Sequence, residues 1–252
     1  MTDKRAAIVT GASKGIGRAI AEELAREGSN VLINYQGDSR SAAATVRAVT
    51  ALGVDSFSVR ADMGNEGSGA VLVESALARW GRLDICVNNA AVINDETAIA
   101  DIDKNSWRRI LDVNVNGTFE LSQAAVRAMR PQRKGVLVNI SSNVTRRLPK
   151  GLGPYSTSKA ALETMTRILA KEEGPNGIRV NGIAPGPVNT DMLRKLLENM
   201  GEEAAESFRQ SLPLQRFGQP GEIARMVAML ASDGASFVTG EIIYVNGGGP
   251  GG

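Results

Sequence analysis

Seven short stretches of the chain are apolar or β-branched almost without a break: AAIVT (6–10), NVLINY (30–35), DSFSVRA (55–61), LDICVNN (83–89), GVLVNIS (135–141), IRVNGIA (178–184) and EIIYVNG (241–247). A strand with one wet face alternates apolar and polar residues. One covered on both faces can be apolar throughout, so these runs read as strands of a buried parallel sheet. Between them the apolar spacing turns helical, near 16–27, 40–52, 66–80, 104–130, 155–173 and 220–232. Strands alternating with helices predict right-handed crossovers and an α/β fold with helices on both faces of the sheet. No repeat, low-complexity block or linker divides the chain, so residues 1–252 are expected to form one domain. The rhythm fails once. Residues 186–218 contain no strand, only NTDMLRKLLENMGEEAAESFRQSL, a pattern of two short helices. An insertion of this length predicts a substrate lid at 187–217, the alternative being a solvated surface excursion. The tail, NGGGPGG, reads as a mobile end.

Composition narrows the function classes. Net charge is +2, from 29 basic and 27 acidic residues, which gives no electrostatic case for nucleic acid or an anionic membrane. No run of about 18 apolar residues could span a bilayer. The opening MTDKRAAIVTG goes straight into a strand without the apolar stretch of a secretory signal, so the expected compartment is the cytoplasm. Cys86 is the single cysteine and reads as a buried small hydrophobe. The chain has no histidine. That excludes Ser-His-Asp and Cys-His catalysis, and with one cysteine it excludes the usual tetrahedral zinc sites, so no metal is expected. Acid–base chemistry must fall to a carboxylate, a lysine, a tyrosine or a bound cofactor.

Two stretches carry candidate chemistry. TGASKGIG (10–17) follows the first strand and opens the first helix. Glycine there allows a tight turn and close backbone approach, and the helix start offers free N–H groups and a positive dipole end, which suits a dinucleotide pyrophosphate. PYSTSK places Tyr155 and Lys159 at i and i+4, on one helix face about 5–6 Å apart at Cβ. A free phenol titrates near 10, and a neighbouring ammonium favours the phenolate, so Lys159 is expected to lower the pKa of Tyr155 toward useful acid–base range.

T-G-x-x-x-G-x-G, Asn-Asn-Ala after the fourth strand and Tyr-x-x-x-Lys downstream keep the order and separation of the classical short-chain dehydrogenase/reductase family, which the chain resembles over nearly its whole length. Ala91 departs from the glycine that many members carry after Asn-Asn-Ala. The resemblance implies a Rossmann-type doubly wound seven-stranded parallel sheet. It also implies hydride transfer between a nicotinamide cofactor and a ketone or secondary alcohol, with Tyr155 as general acid/base. Lys159 would tune Tyr155 and bind the nicotinamide ribose. Ser142 would hydrogen-bond the substrate oxygen; Ser141 is set aside because strand alternation turns it to the other face. Asn114, rather than Asn116, would hold a water linking Lys159 to solvent. The cofactor would meet Gly11, Ser13, Lys14, Gly15, Ile16 and Gly17 in the glycine loop, and Tyr35, Ser39 and Arg40 beyond the second strand. Asp62 and Met63 would meet the adenine, and the turn of Asn88, Asn89 and Ala90 the adenosine ribose. Pro185, Gly186, Val188 and Thr190 would hold the nicotinamide. Asp62 could instead cap a helix.

The resemblance further implies a homotetramer in which helices 104–130 and 155–173 pair across subunits. The second strand ends in Tyr35 where NAD-specific members carry an acid, Lys14 is basic, and Asp38 reads as a helix cap, so NADP(H) is the expected cofactor. The substrate is expected to be a small carbonyl or alcohol, with an acyl thioester open. A carrier protein would want basic patches such as Arg130, Arg133 and Lys134, or Arg146 and Arg147. An NAD-dependent sugar or polyol dehydrogenase and a nucleotide-binding regulator without catalysis are the alternatives.

Overall fold

The computed structural model describes residues 4–249. Its centre is a seven-stranded sheet, parallel in every pairing, of β1 (Ala6–Val9), β2 (Asn30–Tyr35), β3 (Ser56–Arg60), β4 (Ile85–Asn88), β5 (Gly135–Ile140), β6 (Ile178–Pro185) and β7 (Ile242–Val245), in the order β3-β2-β1-β4-β5-β6-β7. Every residue of β1, β4 and β5 is buried, as their unbroken apolar runs demand. The order reverses between β1 and β4, and a crevice at such a switch point, outside the carboxyl ends of the strands, is where doubly wound sheets bind ligands.

Two apolar layers cover the sheet. On one face α1 (Gly15–Arg26), α2 (Ser39–Thr50) and α10 (Pro220–Ala231) pack Ile20, Leu24, Val49, Ile223 and Val227 on Val9, Val31, Ile33 and Val138. On the other, α3 (Ser68–Trp80), α5 (Gly117–Met129) and α7 (Gly153–Glu173) pack Leu72, Leu121, Met129 and Ala170 on Ile8, Leu32, Cys86 and Leu137. Burial pushes the Cys86 thiol up to about 12, which keeps it a protonated core residue.

Three features depart from the sequence reading. Residues 104–129 are helical throughout as expected, but α4 (Lys104–Leu111) passes through an unforeseen π-helical turn, Asp112–Asn116, into α5. Gly117 accompanies the change. A Cβ there would lie 1.9 Å from the Met63 carbonyl oxygen, so only glycine lets the chain pass. Two short elements went unforeseen, α6 (Val144–Arg147) and a 3-10 turn at Ile99–Asp101. The Gly-rich tail is packed as far as Gly249, since Leu214 N donates to Gly247 O (3.2 Å) and Asn246 and Gly249 are buried; Pro250–Gly252 lie outside the described residues. Between β6 and β7 run α8 (Asp191–Met200) and α9 (Glu202–Gln210), the expected pair of short helices, closed at the base by a bridge between Val188 and Gly218. Among the described residues no helix is long and apolar enough to cross a membrane.

Candidate active site

The glycine turn is built for close approach. Gly11 and Gly15 have φ of +60° and +58°, and a Cβ on Gly17 would lie 2.4 Å from Gly11 O and 2.5 Å from Asn89 Nδ2. No side chain caps α1 at Lys14, so the first-turn N–H groups keep no side-chain partner at that cap. This cradle fits a dinucleotide phosphate. Asn89 holds it from just past β4, donating through Nδ2 to Thr10 O (2.8 Å) and Gly11 O (3.2 Å), while Ala90 N donates to Thr10 Oγ1 (3.0 Å). Asn88 is different: buried, it donates to Ser122 Oγ and Asn139 Oδ1, so its side chain ties core elements together and does not face a ligand.

Where the adenosine is expected, Tyr35 closes β2, and Asp38 accepts from Ser41 N (2.9 Å) and Ser41 Oγ (2.7 Å) as the cap of α2. Those bonds, with Lys14 and Arg40 nearby, hold its carboxyl below the usual range, so it is an occupied cap. Ser39 and Arg40, the first residues of α2, are exposed beside it, and Thr45 Oγ1 donates to Ser13 O (3.0 Å), joining α2 to the glycine loop. Asp62 does not cap a helix; α3 begins at Ser68 after Gly67. Both its oxygens receive Arg109 (2.9 Å), and Gln36 Nε2 (2.9 Å) and Gly64 N (2.9 Å) also donate to it. Met63 is buried beneath. Ile16 packs on the core and serves the turn from below.

At the other end Pro185 and Gly186 leave β6, Gly186 N donating to Val245 O (3.0 Å). Thr190 Oγ1 caps α8 by accepting from Leu193 N (3.4 Å), and its methyl is the nearest atom a Cβ on Gly15 would meet, at 3.6 Å. Lys14 reaches Asp191 at 3.5 Å. The loops expected to hold the pyrophosphate and the nicotinamide thus meet at Gly15 and Thr190.

The catalytic candidates gather between β5, the π turn and α7. Tyr155 is buried and hydrogen-bonded to Ser142; Lys159, 2% exposed, donates from Nζ to Ile140 O (2.7 Å) and lies 5.6 Å from the Tyr155 ring centroid. The expected pKa direction is reversed. Burial pushes Tyr155 up to about 12, the Ser142 bond pulling the other way, and pushes Lys159 down to about 8. Loss of water is the leading cause at both groups, because both sit in the same dry wall. Burial therefore favours the neutral phenol, a form able to donate a proton. Ser141 is turned away from Tyr155 to Glu163 Oε1 (2.9 Å), as strand alternation requires. Asn114 is fully buried in the π turn. Its Oδ1 accepts from Val92 N (2.8 Å), and its Nδ2 donates to Val92 O (2.9 Å) and Ser158 Oγ (3.0 Å). Its side chain pins residue 92 to α7 and commits both amide protons there, which leaves Oδ1 one acceptor site. Asn116 is exposed and bonded to Asp112.

A family model described as "Enoyl-(Acyl carrier protein) reductase" matches residues 11–249. The 3-oxoacyl-[acyl-carrier-protein] reductase FabG of Staphylococcus aureus is 38% identical over 244 residues, covering 97% of each chain. Glucose 1-dehydrogenase 2 of Bacillus subtilis is 39% identical over 246 residues, covering 97% of this chain and 94% of its own. The crystal structure of acetoin dehydrogenase YohF from Salmonella typhimurium superposes with a TM-score of 0.86 at 34% identity, covering 97% and 96%. The chain belongs to the classical short-chain dehydrogenase/reductase family. It is an oxidoreductase of that family, which works with a nicotinamide cofactor.

Sequence reasoning missed several residues around this short-chain dehydrogenase/reductase site. Arg109 holds Asp62 across 47 positions of chain, with no sequence signal to link them. Glu163 is buried and also receives Thr145 Oγ1 (2.8 Å) and Tyr244 Oη (3.2 Å), gathering α6, α7, β5 and β7 behind Ser142. Its place four residues after Lys159 was a signal. Of the basic patches, Arg130 is bound to Glu173, Arg133 donates to Pro175 O (2.8 Å) and Lys134 pairs with Asp233 (3.3 Å), all before β5 and so at the end of the sheet opposite the crevice. Arg146 and Arg147 lie near the site but stack on Tyr244 (3.8 Å) and Phe208 (5.5 Å).

Proposed function

We propose that this enzyme exchanges hydride between NADP(H) and a ketone or secondary alcohol, with Tyr155 as the general acid/base. The observation that carries this reading is the buried Tyr155–Ser142 pair beside Lys159, at the carboxyl end of β5. Hydride exchange is the chemistry that a bound nicotinamide supplies. Ser142 and Tyr155 hydrogen-bond the substrate oxygen; the neutral phenol gives its proton to that oxygen in reduction and takes it back in oxidation. Lys159 contributes a positive charge near the phenol and a donor for the ribose. The glycine loop 11–17 with Asn89 and Ala90 holds the pyrophosphate and ribose, Asp62 and Met63 the adenine, and Pro185, Gly186, Val188 and Thr190 the nicotinamide. NADP(H) is favoured because no free carboxylate stands at the end of β2, where Lys14 and Arg40 supply positive charge. The segment 187–217 serves as the substrate lid of a single domain.

The groove between α5 and α7, about 590 Å³, exposes half of Phe119 and Ile168 beside Val126, Met165 and Leu169. Arg127 and Glu172 lie on the same groove, so a two-fold copy would face unlike charges across it. This supports a homotetramer in which the two helices pair between subunits, readable as the mass in light scattering. The Bacillus subtilis relative's name supports a second reading, oxidation of a sugar with NAD; the Staphylococcus aureus relative's name supports an acyl thioester. A hydride-transfer assay over ketones, acyl thioesters and sugars, with NADPH and NADH, decides among them. Cofactor binding with no turnover on the whole panel would leave a nucleotide-binding regulator.

A further inference from the structure

The cations at the carboxyl end of β2 are not equivalent. Lys14 shares its charge with Asp191 at 3.5 Å, and Arg40 lies near the Asp38 carboxylate. A third cation comes from the neighbouring strand. Arg60 is the last residue of the edge strand β3 and pairs in register with Tyr35. Phe57 and Val59 pack into the layer around α3, so alternation puts Arg60 on the other face, where Val31 and Ile33 meet α2. Its side chain does not extend along the edge. Nε donates to Gln36 O (2.9 Å), which folds the guanidinium back over the end of β2. No carboxylate pairs with it among the described residues, and its remaining donors have no partner there.

We propose that Arg60 is a specificity-determining residue that receives the 2′-phosphate of the dinucleotide, acting from β3 on a pocket otherwise built from Tyr35, Ser39 and Arg40. This rests on the NADP(H) reading above. A phosphate monoester carries up to two negative charges and several acceptors, and a guanidinium fork meets it with parallel donors that an ammonium lacks. Lys14 and Arg40 already have acid neighbours, so Arg60 is the uncompensated donor set. Anchoring through Nε leaves the terminal amines free and fixes the plane of the fork. The simpler account is an edge-strand charge that discourages pairing with another chain. That role needs only exposure and predicts no dependence on a phosphate.

The test is binding to the full-length protein, without turnover. Calorimetry with adenosine 2′,5′-bisphosphate and with 5′-AMP gives an affinity ratio that isolates the 2′-phosphate. In Arg60→Ala that ratio is expected to fall about tenfold, with a smaller fall in Arg60→Lys, and the NADPH to NADH ratio of kcat/KM follows it. The difference between wild type and Arg60→Ala should shrink as salt rises. A wild type that prefers the bisphosphate, with the same ratio in Arg60→Ala, overturns the assignment and leaves NADP(H) specificity standing. A wild type that binds both probes equally overturns the cofactor reading and this assignment with it. Thermal melting of each variant separates a lost contact from a lost fold.

Discussion

Lys159 and Arg60 are both cations anchored to a main-chain carbonyl, Ile140 O and Gln36 O, one at the carboxyl end of β5 and the other at that of β3. Lys159 is 2% exposed and its pKa is pushed down to about 8. Arg60, like Lys14 and Arg40, stands at the solvent edge. At the chemical end burial amplifies every charge, and a single atom should control the rate. At the end proposed to hold the adenosine, water and salt would screen each contact, so selectivity there would be spread over several weak ones. Substitutions at the two ends should therefore differ in size and in sensitivity to salt.

The largest effect is expected from Tyr155→Phe, which keeps the ring and removes the proton. Steady-state kinetics should show kcat reduced at least about 100-fold with cofactor affinity little changed; near-normal turnover would remove Tyr155 from the mechanism. Next comes pH. Ketone reduction should hold level in kcat/KM below the Lys159 value and fall as pH rises through about 8, where the ammonium is lost. Lys159→Arg keeps the charge and should carry that limb to higher pH. An unmoved limb assigns it to another group.

Burial at the chemical end also carries a stability cost. The native pKa of Lys159 lies below its ordinary 10.5, so between about pH 8 and 10.5 the unfolded chain binds the extra proton and stability from this group rises with pH. Below pH 8 the cost is present in full. Lys159→Met should then stabilise the protein by about 1–3 kcal/mol at neutral pH in denaturant melts, after allowance for the orphaned Ile140 carbonyl, while turnover collapses. A destabilised variant would mean that the carbonyl bond outweighs desolvation. The smallest effects belong to the adenosine end. Lys14→Ala should weaken NADPH more than NADH by a few-fold, within the range of an exposed ion pair, and high salt should erase the difference. Tyr35→Asp should turn preference toward NADH by adding a ribose acceptor and a repulsive charge together. A wild type already faster with NADH would reverse this end of the comparison.

The seven strands were legible because burial on both faces leaves a one-dimensional mark, an unbroken apolar run. The pairing of Tyr155 with Lys159 was legible because helical spacing is local. The glycine turn was legible because backbone freedom at Gly11 and Gly15 is a property of the residue. Other features depend on which distant segments meet. The π turn at Asp112–Asn116 answers to Gly117 passing Met63 and to Asn114 seizing residue 92, and helical periodicity across 104–130 conceals it. Arg109 on Asp62, Glu163 behind Ser142 and Arg60 over the end of β2 join residues tens of positions apart that carry no shared pattern. The pKa of Tyr155 was read in the wrong direction for the same reason. The nearness of Lys159 can be inferred from four residues of spacing, but the dryness that raises the phenol comes from β5, the π turn and α7 closing together. Local geometry is written in neighbouring residues; solvent exclusion is a property of the packed whole.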